Sequence, residues 1–317
     1  MNKYKHILVL ILISPLSQAL TIHCGHVFDA KNGKMLNDIY IQTEQQRFIK
    51  VEKYNKQAVD LDFADKYCLP GFIDMHTHLS FEFSKNSYTE KYQLNEADYA
   101  FKSAVYAKRT LKAGFTTVRD LGDVFNVTIA LKKAIKQGTV VGPRIFTAGK
   151  ALATTGGHAD PSNGYRQGLM PNPGPKLGVI NGVAQAAQAV RQRYQDGADL
   201  IKITATGGVL SQAASGDNAQ FNMDELKSII QTANDYGFKV AAHAHGKEGM
   251  KRAIIAGVAS IEHGTYADDE IRKLMKKHGT YLVPTLIAGQ WVTDKSKIKG
   301  YFPAVVAKKA ATIGPII

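Results

Sequence analysis

The fold prediction starts from one stretch of sequence, Leu69-Pro-Gly-Phe-Ile-Asp-Met-His-Thr-His78. It reads as a short apolar strand that ends in two histidines. Alternate residues of a strand share a face, so His76 and His78 direct their imidazoles to the same side. Two converging imidazoles suit a divalent metal. Two histidines spaced in this way, with no other ligand, are more often solvated or hydrogen-bonded than bound to a metal, so the prediction depends on further ligands elsewhere in the chain.

The first residues have the pattern of a secretory signal peptide. Lys3 and Lys5 precede an uninterrupted apolar run, and Ser17-Gln-Ala19 places small residues at a cleavage site. We predict a signal peptide over residues 1–19, cut after Ala19, and an exported protein, periplasmic or secreted. The alternative is a buried N-terminal helix. The apolar run is too short for a stable membrane span.

The charge and cysteine content of the chain bear on its binding partners and on a possible disulfide. The chain has 317 residues, a formal net charge of +13 and only two cysteines. Basic doublets such as Lys308-Lys309 are scattered and form no stripe with interleaved aromatic residues. We therefore expect no nucleic-acid binding, and only loose attraction to anionic surfaces. Export would permit a disulfide between Cys24 and Cys68, a pairing that the sequence leaves open.

The predicted secondary-structure pattern changes near residue 69. Residues 20–68 alternate polar and apolar side chains between turn signals, which predicts a small antiparallel β module. Residues 69–317 contain strand-then-helix units, which predict a parallel sheet. We count seven such units, or six and a half. The expected fold is an α/β, TIM-type (β/α)8 barrel that is incomplete because strand eight is absent.

The histidines with metal-binding potential share one position, the carboxyl end of a predicted strand, and Lys202 lies inside the predicted strand four between Ile201 and Ile203. Each alone has a structural interpretation, such as a hydrogen-bonded core histidine or a lysine that extends to solvent. Unrelated structural residues would not gather at the same end of several strands, where barrels place their ligands. They are His76, His78, Lys202, His243, His245 and His263.

Five motifs in order give the chain a family resemblance, from about residue 21 to its end. The chain resembles the amidohydrolase superfamily, in particular the imidazolonepropionase-related branch that includes Xaa-Pro dipeptidases. The motifs are Pro70-Gly-Phe-Ile-Asp-Met-His-Thr-His78, Thr116-Thr-Val-Arg-Asp120, Ala198-Asp-Leu-Ile-Lys-Ile203, Ala242-His-Ala-His-Gly246 and Ser260-Ile-Glu-His-Gly-Thr265.

The resemblance implies a site for two divalent metal ions, with zinc as the default for imidazole and carboxylate ligands. His76 and His78 would bind the more buried ion, and His243 and His263 the second. Lys202 would react with CO2 to form a carbamate that bridges both ions. This modification accounts for a lysine in an otherwise apolar strand.

The resemblance also implies the reaction. A metal-bridging hydroxide would attack the amide carbonyl of a small molecule, most simply a dipeptide of the Xaa-Pro kind. His158, in the loop Thr154-Thr-Gly-Gly-His158, and His245 would contact the substrate. A cyclic amide, as in imidazolonepropionase, is the alternative substrate class.

One family feature has no counterpart in the chain. The family carries a catalytic aspartate at the end of strand eight, in a Gly-Thr-Asp context that does not occur here. Asp268 and Asp269 follow predicted strand six and do not fit the role. The catalytic acid/base is therefore unassigned, and a truncated, catalytically impaired remnant is a second expectation for the whole protein. A homo-oligomer is left open.

Overall fold

A computed structural model describes residues 19–45 and 47–317. Residues 1–18 of the signal peptide predicted over residues 1–19 lie outside the described residues, and the signal peptide stays a prediction. The chain divides into two compact units, one ending at Gly71 and one spanning Phe72–Ile317. In the part of the chain that the structure describes, no helix is long and apolar enough to cross a bilayer.

The first unit is one four-stranded sheet in the order β3-β2-β1-β4. β1 and β3 pair antiparallel with β2, whereas β4 is parallel to β1. The expectation of a purely antiparallel module is therefore wrong, because β4 joins at the edge beside β1 and not as a hairpin beside β3. Cys24 and Cys68 form a disulfide between these two strands. The strands are β1 (Leu20–Asp29), β2 (Lys34–Glu44), β3 (Arg47–Lys53) and β4 (Leu61–Cys68).

The second unit alternates strands and helices along the chain. Its strands are β5 (Phe72–Thr77), β6 (Phe115–Asp120), β7 (Arg144–Thr147), β8 (Ile201–Thr204), β9 (Val240–Ala244), β10 (Ser260–His263) and β11 (Tyr281–Val283). Its α-helices are α1 (Ser87–Glu90), α2 (Glu96–Lys112), α3 (Val127–Lys136), α4 (Val183–Asp196), α5 (Met223–Asp235), α6 (Lys247–Ala256), α7 (Asp269–His278), α8 (Leu286–Ser296) and α9 (Ala304–Ile313).

The seven strands of this unit form two parallel sheets, in the orders β5-β6-β7 and β11-β10-β9-β8. The chain leaves the first sheet after Thr147, and Leu152, in the segment beyond β7, pairs with Ile203 of β8 in an isolated bridge. Within the described residues the ladder is not continuous and no closed barrel forms, since β5 and β11 are sheet edges. The predicted α/β architecture with parallel sheets is confirmed, whereas the prediction of a barrel that lacks only strand eight stays a prediction.

The core of this unit lies around β8 and β9, whose residues are all buried. β9 reads as a nearly continuous apolar run, as expected of a strand covered on both faces, whereas β8 alternates isoleucine with buried polar side chains. Polar side chains cap the starts of α5 and α7. Asn222 and Glu225 form a capping box at the start of α5. Asp268 accepts a hydrogen bond from the Ile271 amide at 3.1 Å and so caps α7, which gives this aspartate a structural role.

Candidate metal centre

The structure brings the predicted site residues to one edge of the second unit. His76 lies in β5, His243 in β9 and His263 at the end of β10, while His78 and His245 directly follow their strands. The carboxyl ends of parallel strands meet at the same edge, so side chains distant in sequence become neighbours.

The imidazoles form one contiguous cluster centred on His263. Its ring centroid lies 5.1 Å from that of His76, 4.7 Å from that of His243 and 5.0 Å from that of His245. His78 joins through His76 at 5.3 Å. One nitrogen from each of His243, His245 and His263 lies within 4.8 Å of the others, so these three rings can share a single ion. This grouping differs from the family resemblance, in which His245 would contact the substrate.

Two of the rings are oriented by backbone carbonyls. His78 donates from Nδ1 to the Gly122 carbonyl, and His243 donates from Nε2 to the Gly207 carbonyl, both at 2.8 Å. These bonds place the proton on the bonded nitrogen and leave the opposite nitrogen with its lone pair. That is how ligating histidines are ordinarily held.

Two further rings are oriented by threonine hydroxyls. His245 Nδ1 lies 2.6 Å from Thr265 Oγ1, and His263 Nδ1 lies 2.6 Å from Thr285 Oγ1. His263 and Thr285 both have positive φ, at 72° and 52°. Because this conformation is strained for a β-branched residue, the surrounding structure must hold it in place, as is common at functional sites.

The fifth ring, His76, is held by a buried carboxylate that the sequence analysis missed. His76 Nδ1 lies 3.0 Å from Glu262 Oε2, and Glu262 is fully buried. Arg119 donates to Glu262 Oε1 at 2.8 Å, and the Ser260 hydroxyl donates to the same oxygen. Glu262 and Arg119 both stand inside motifs that carry the family resemblance, and the position of Glu262 directly before the predicted ligand His263 was the available signal.

Asp120, at the end of β6, is a second buried carboxyl that the sequence analysis did not single out as a site residue. Its Oδ2 atom accepts a hydrogen bond from the Leu79 amide at 2.6 Å, while Oδ1 has no partner among the described residues. Burial raises the pKa of Asp120 to about 8, so this group is mostly protonated at neutral pH.

Lys202 lies in β8 between the fully buried Ile201 and Ile203 and is itself 3% exposed. Burial lowers its pKa from the ordinary value of 10.5 to about 8, although Glu262 opposes the change. The side chain is therefore deprotonated much more readily than a lysine in water. A neutral amine is the form that reacts with CO2, so the environment of Lys202 fits the predicted carbamate.

The histidines are held in the form that binds metals. Burial, and after it the charge of Lys202, lowers the pKa of His78 to about 4. Burial and Lys309 lower that of His245 to about 4. Burial also holds the pKa of His243 and His263 well below its ordinary range. These imidazoles are neutral at pH 7, and neutral imidazole is the ligating species. The donor set therefore fits a divalent metal.

His158 lies against the same cluster. Its ring stacks on that of His243 with centroids 4.3 Å apart, and its Nδ1 atom is buried without a hydrogen-bond partner among the described residues. The predicted role in substrate binding stays a prediction.

Comparison with known proteins agrees with this geometry. The sequence pattern of the amidohydrolase family matches residues 67–301. The chain is 37% identical to the ochratoxinase of Aspergillus niger over 229 residues, which cover 68% of this chain and 47% of that protein. It thus spans about half the length of this relative.

Solved structures of related hydrolases also resemble this chain. A Xaa-Pro dipeptidase with methionine bound in its active site superposes with a TM-score of 0.90 at 46% identity, covering 94% of this chain and 74% of that one. A prolidase complexed with N-methylphosphonate-L-proline superposes with a TM-score of 0.82 at 30% identity, with coverages of 94% and 74%. The likeness to this family of folds implies a TIM-like barrel architecture. The chain belongs to the amidohydrolase family, a family of hydrolases.

Proposed function

We propose that this chain is a metal-dependent hydrolase that cleaves the amide bond of dipeptides of the Xaa-Pro kind. One observation carries the proposal. Five imidazoles converge at the carboxyl ends of β5, β9 and β10, and each has one ring nitrogen held by a partner behind it. The likeness to a Xaa-Pro dipeptidase at 46% identity supports the substrate class.

In this proposal His76 and His78 hold one divalent ion and His243 and His263 a second. Lys202, carboxylated by CO2, would supply a further carboxylate-type ligand, and zinc would be the metal at both positions. A pair of divalent ions acidifies a water molecule to near neutrality and polarises the substrate carbonyl. The partners behind the rings fix their tautomers and orientations, so that the ligand nitrogens are in place before a metal binds.

His158 and His245 contact the substrate in this proposal. Both rings flank His243, with centroid distances of 4.3 and 4.7 Å. Their pKa values are lowered by burial. They would therefore approach the substrate as neutral donors or acceptors.

The test is hydrolysis of a substrate panel by the purified chain, stripped of metal and reloaded with Zn²⁺. The panel contains Xaa-Pro dipeptides, other dipeptides and cyclic amides. We expect zinc-dependent release of free proline, its loss in His263→Ala, and no change in His278→Ala, because His278 is an exposed histidine of α7.

The remaining outcomes separate the alternatives. Hydrolysis of cyclic amides alone would assign the imidazolonepropionase-type activity. Zinc binding without hydrolysis of any compound would assign a catalytically impaired member of the family and overturn the proposal.

We further propose that the protein is exported. The sequence of residues 1–19 supports this, and so does the Cys24–Cys68 disulfide, because such bonds persist in oxidising compartments. N-terminal sequencing of the protein recovered outside the cytoplasm should begin at Leu20. Recovery of the chain only in the cytoplasm, with its first residues intact, would contradict export.

A further inference from the structure

Lys309, on α9, is a buried lysine whose ammonium is fully occupied by backbone carbonyls. The residue is 7% exposed. Its Nζ atom donates to the carbonyls of Gly208, Ser211 and Ala213 at 2.7, 2.8 and 2.7 Å. An ammonium has three donors, so none remains for a substrate anion. Hydrogen bonds from a charged donor are stronger than those between neutral groups, and together these three hold the loop Gly207–Gly216 against α9.

The same loop forms one wall of the metal centre. The Gly207 carbonyl accepts the hydrogen bond from His243 Nε2. The next residue, Gly208, lies directly against His158, since a Cβ atom at this position would fall 2.3 Å from Cε1 of that ring. His158 in turn stacks on His243. A displacement of the loop would therefore release both imidazoles.

The helix that carries Lys309 is itself well anchored. Ile313, one turn further along α9, is 4% exposed in a core cluster with Val292 and Val306. A Cβ atom at Gly216 would fall 2.5 Å from Ile313 Cδ1, so the end of the loop packs closely on this helix. Lys309 thus connects a fixed helix to a segment whose other side contacts the site.

We propose that Lys309 is a positioning residue of the metal centre, which fixes the loop Gly207–Gly216 and through it the rings of His158 and His243. None of the five family motifs contains this lysine. The inference goes beyond the proposed function, and only its kinetic readout rests on that function.

The test compares Lys309→Met with Lys308→Met, the same substitution at the neighbouring, exposed position of α9. The first readout is carbethoxylation of individual histidines by diethyl pyrocarbonate in the metal-free chain, mapped by mass spectrometry. We expect His158 and His243 to react several-fold faster in Lys309→Met than in Lys308→Met. The exposed His278 should react equally in both.

The second readout is the dissociation constant for Zn²⁺, measured by competition with a chelator. Loss of an outer-shell partner typically weakens metal binding by about 10- to 100-fold, and we expect a loss in this range for Lys309→Met alone. On a dipeptide that the native chain hydrolyses, kcat should fall more than KM rises.

A purely structural role predicts a different result. It would lower the melting temperature of Lys309→Met and leave histidine reactivity and Zn²⁺ affinity equal to those of Lys308→Met below that temperature. This result would overturn the proposal. If Lys309→Met does not fold, Lys309→Gln, which keeps two donors for the carbonyls, takes its place. Failure of both to fold would assign Lys309 to stability alone and also overturn the proposal.

The two proposals fail separately. A native chain that hydrolyses no dipeptide would refute the proposed function. Histidine reactivity would still decide the role of Lys309, because that readout needs neither a metal nor a substrate.

Discussion

Lys202→Met should make the metal-free protein more stable while it abolishes function. A pKa lowered from 10.5 to about 8 means that the folded chain disfavours the ammonium form. At about 1.4 kcal/mol per pH unit, keeping this ammonium buried at neutral pH costs about 3 kcal/mol. Methionine has a similar length and no charge. Among the described residues Lys202 Nζ has no hydrogen-bond partner, so the substitution leaves no acceptor unsatisfied.

The effect should depend on pH with a definite sign. Between pH 8 and 10.5 the unfolded chain binds more protons at Lys202 than the folded chain does, so the native protein gains stability as the pH rises through this window. The advantage of Lys202→Met should therefore be about 3 kcal/mol at pH 7 and shrink towards zero near pH 10.5.

The assay is urea unfolding of the metal-free proteins at several pH values, with Lys227→Met as the control. Lys227 is an exposed lysine of α5, and its substitution should change the free energy of unfolding by no more than about 0.5 kcal/mol. Adding Zn²⁺ and bicarbonate should reverse the order, because only the native chain can form the bridging ligand. Metal-free Lys202→Met that is less stable than the native chain at pH 7 would refute this reasoning.

Three further predictions follow from the contacts described above. Glu262→Gln should weaken zinc binding by about 10- to 100-fold in a chelator competition, because it removes the carboxylate behind one ligand; unchanged affinity would count against that role. The free energy of unfolding of the metal-free chain should fall by roughly 2–3 kcal/mol for each of His78 and His245 as the pH falls from 6.5 towards 4, because these imidazoles gain protons there in the unfolded chain but not in the folded one. Urea midpoints that do not change between pH 7 and 4.5 would contradict this. Replacing Cys24 and Cys68 by serine removes a link across 44 residues and should lower the stability of the first unit by up to about 4 kcal/mol in urea unfolding, whereas an unchanged midpoint would exclude a stabilising disulfide.

The sequence predicts much of the site because the decisive rules are local. Alternation along a strand puts His76 and His78 on one side. The strand-then-helix pattern puts His243 and His263, like that pair, at the carboxyl ends of parallel strands. The unusual position of Lys202 is also visible locally, since Ile201 and Ile203 flank it.

The hydrogen bonds that orient the predicted metal ligands could not be predicted, because they depend on how distant segments approach each other. Arg119 reaches Glu262 across 143 positions of sequence, and Lys309 reaches Gly208 across 101. The ring of His263 stacks on that of His245, and the positive φ of His263 is a conformation that no local pattern specifies. The parallel pairing of β4 in the first unit escaped prediction for a similar reason, since alternation does not reveal which edge a strand joins.

The most direct test of the central claim is the zinc content of the purified chain. The protein would be equilibrated with Zn²⁺ and bicarbonate, passed through a desalting column and analysed by inductively coupled plasma mass spectrometry. The proposed site predicts two zinc ions retained per chain, and at most one in His243→Ala. A native chain that retains no zinc, or that retains no more than His243→Ala, would contradict the proposed two-zinc site.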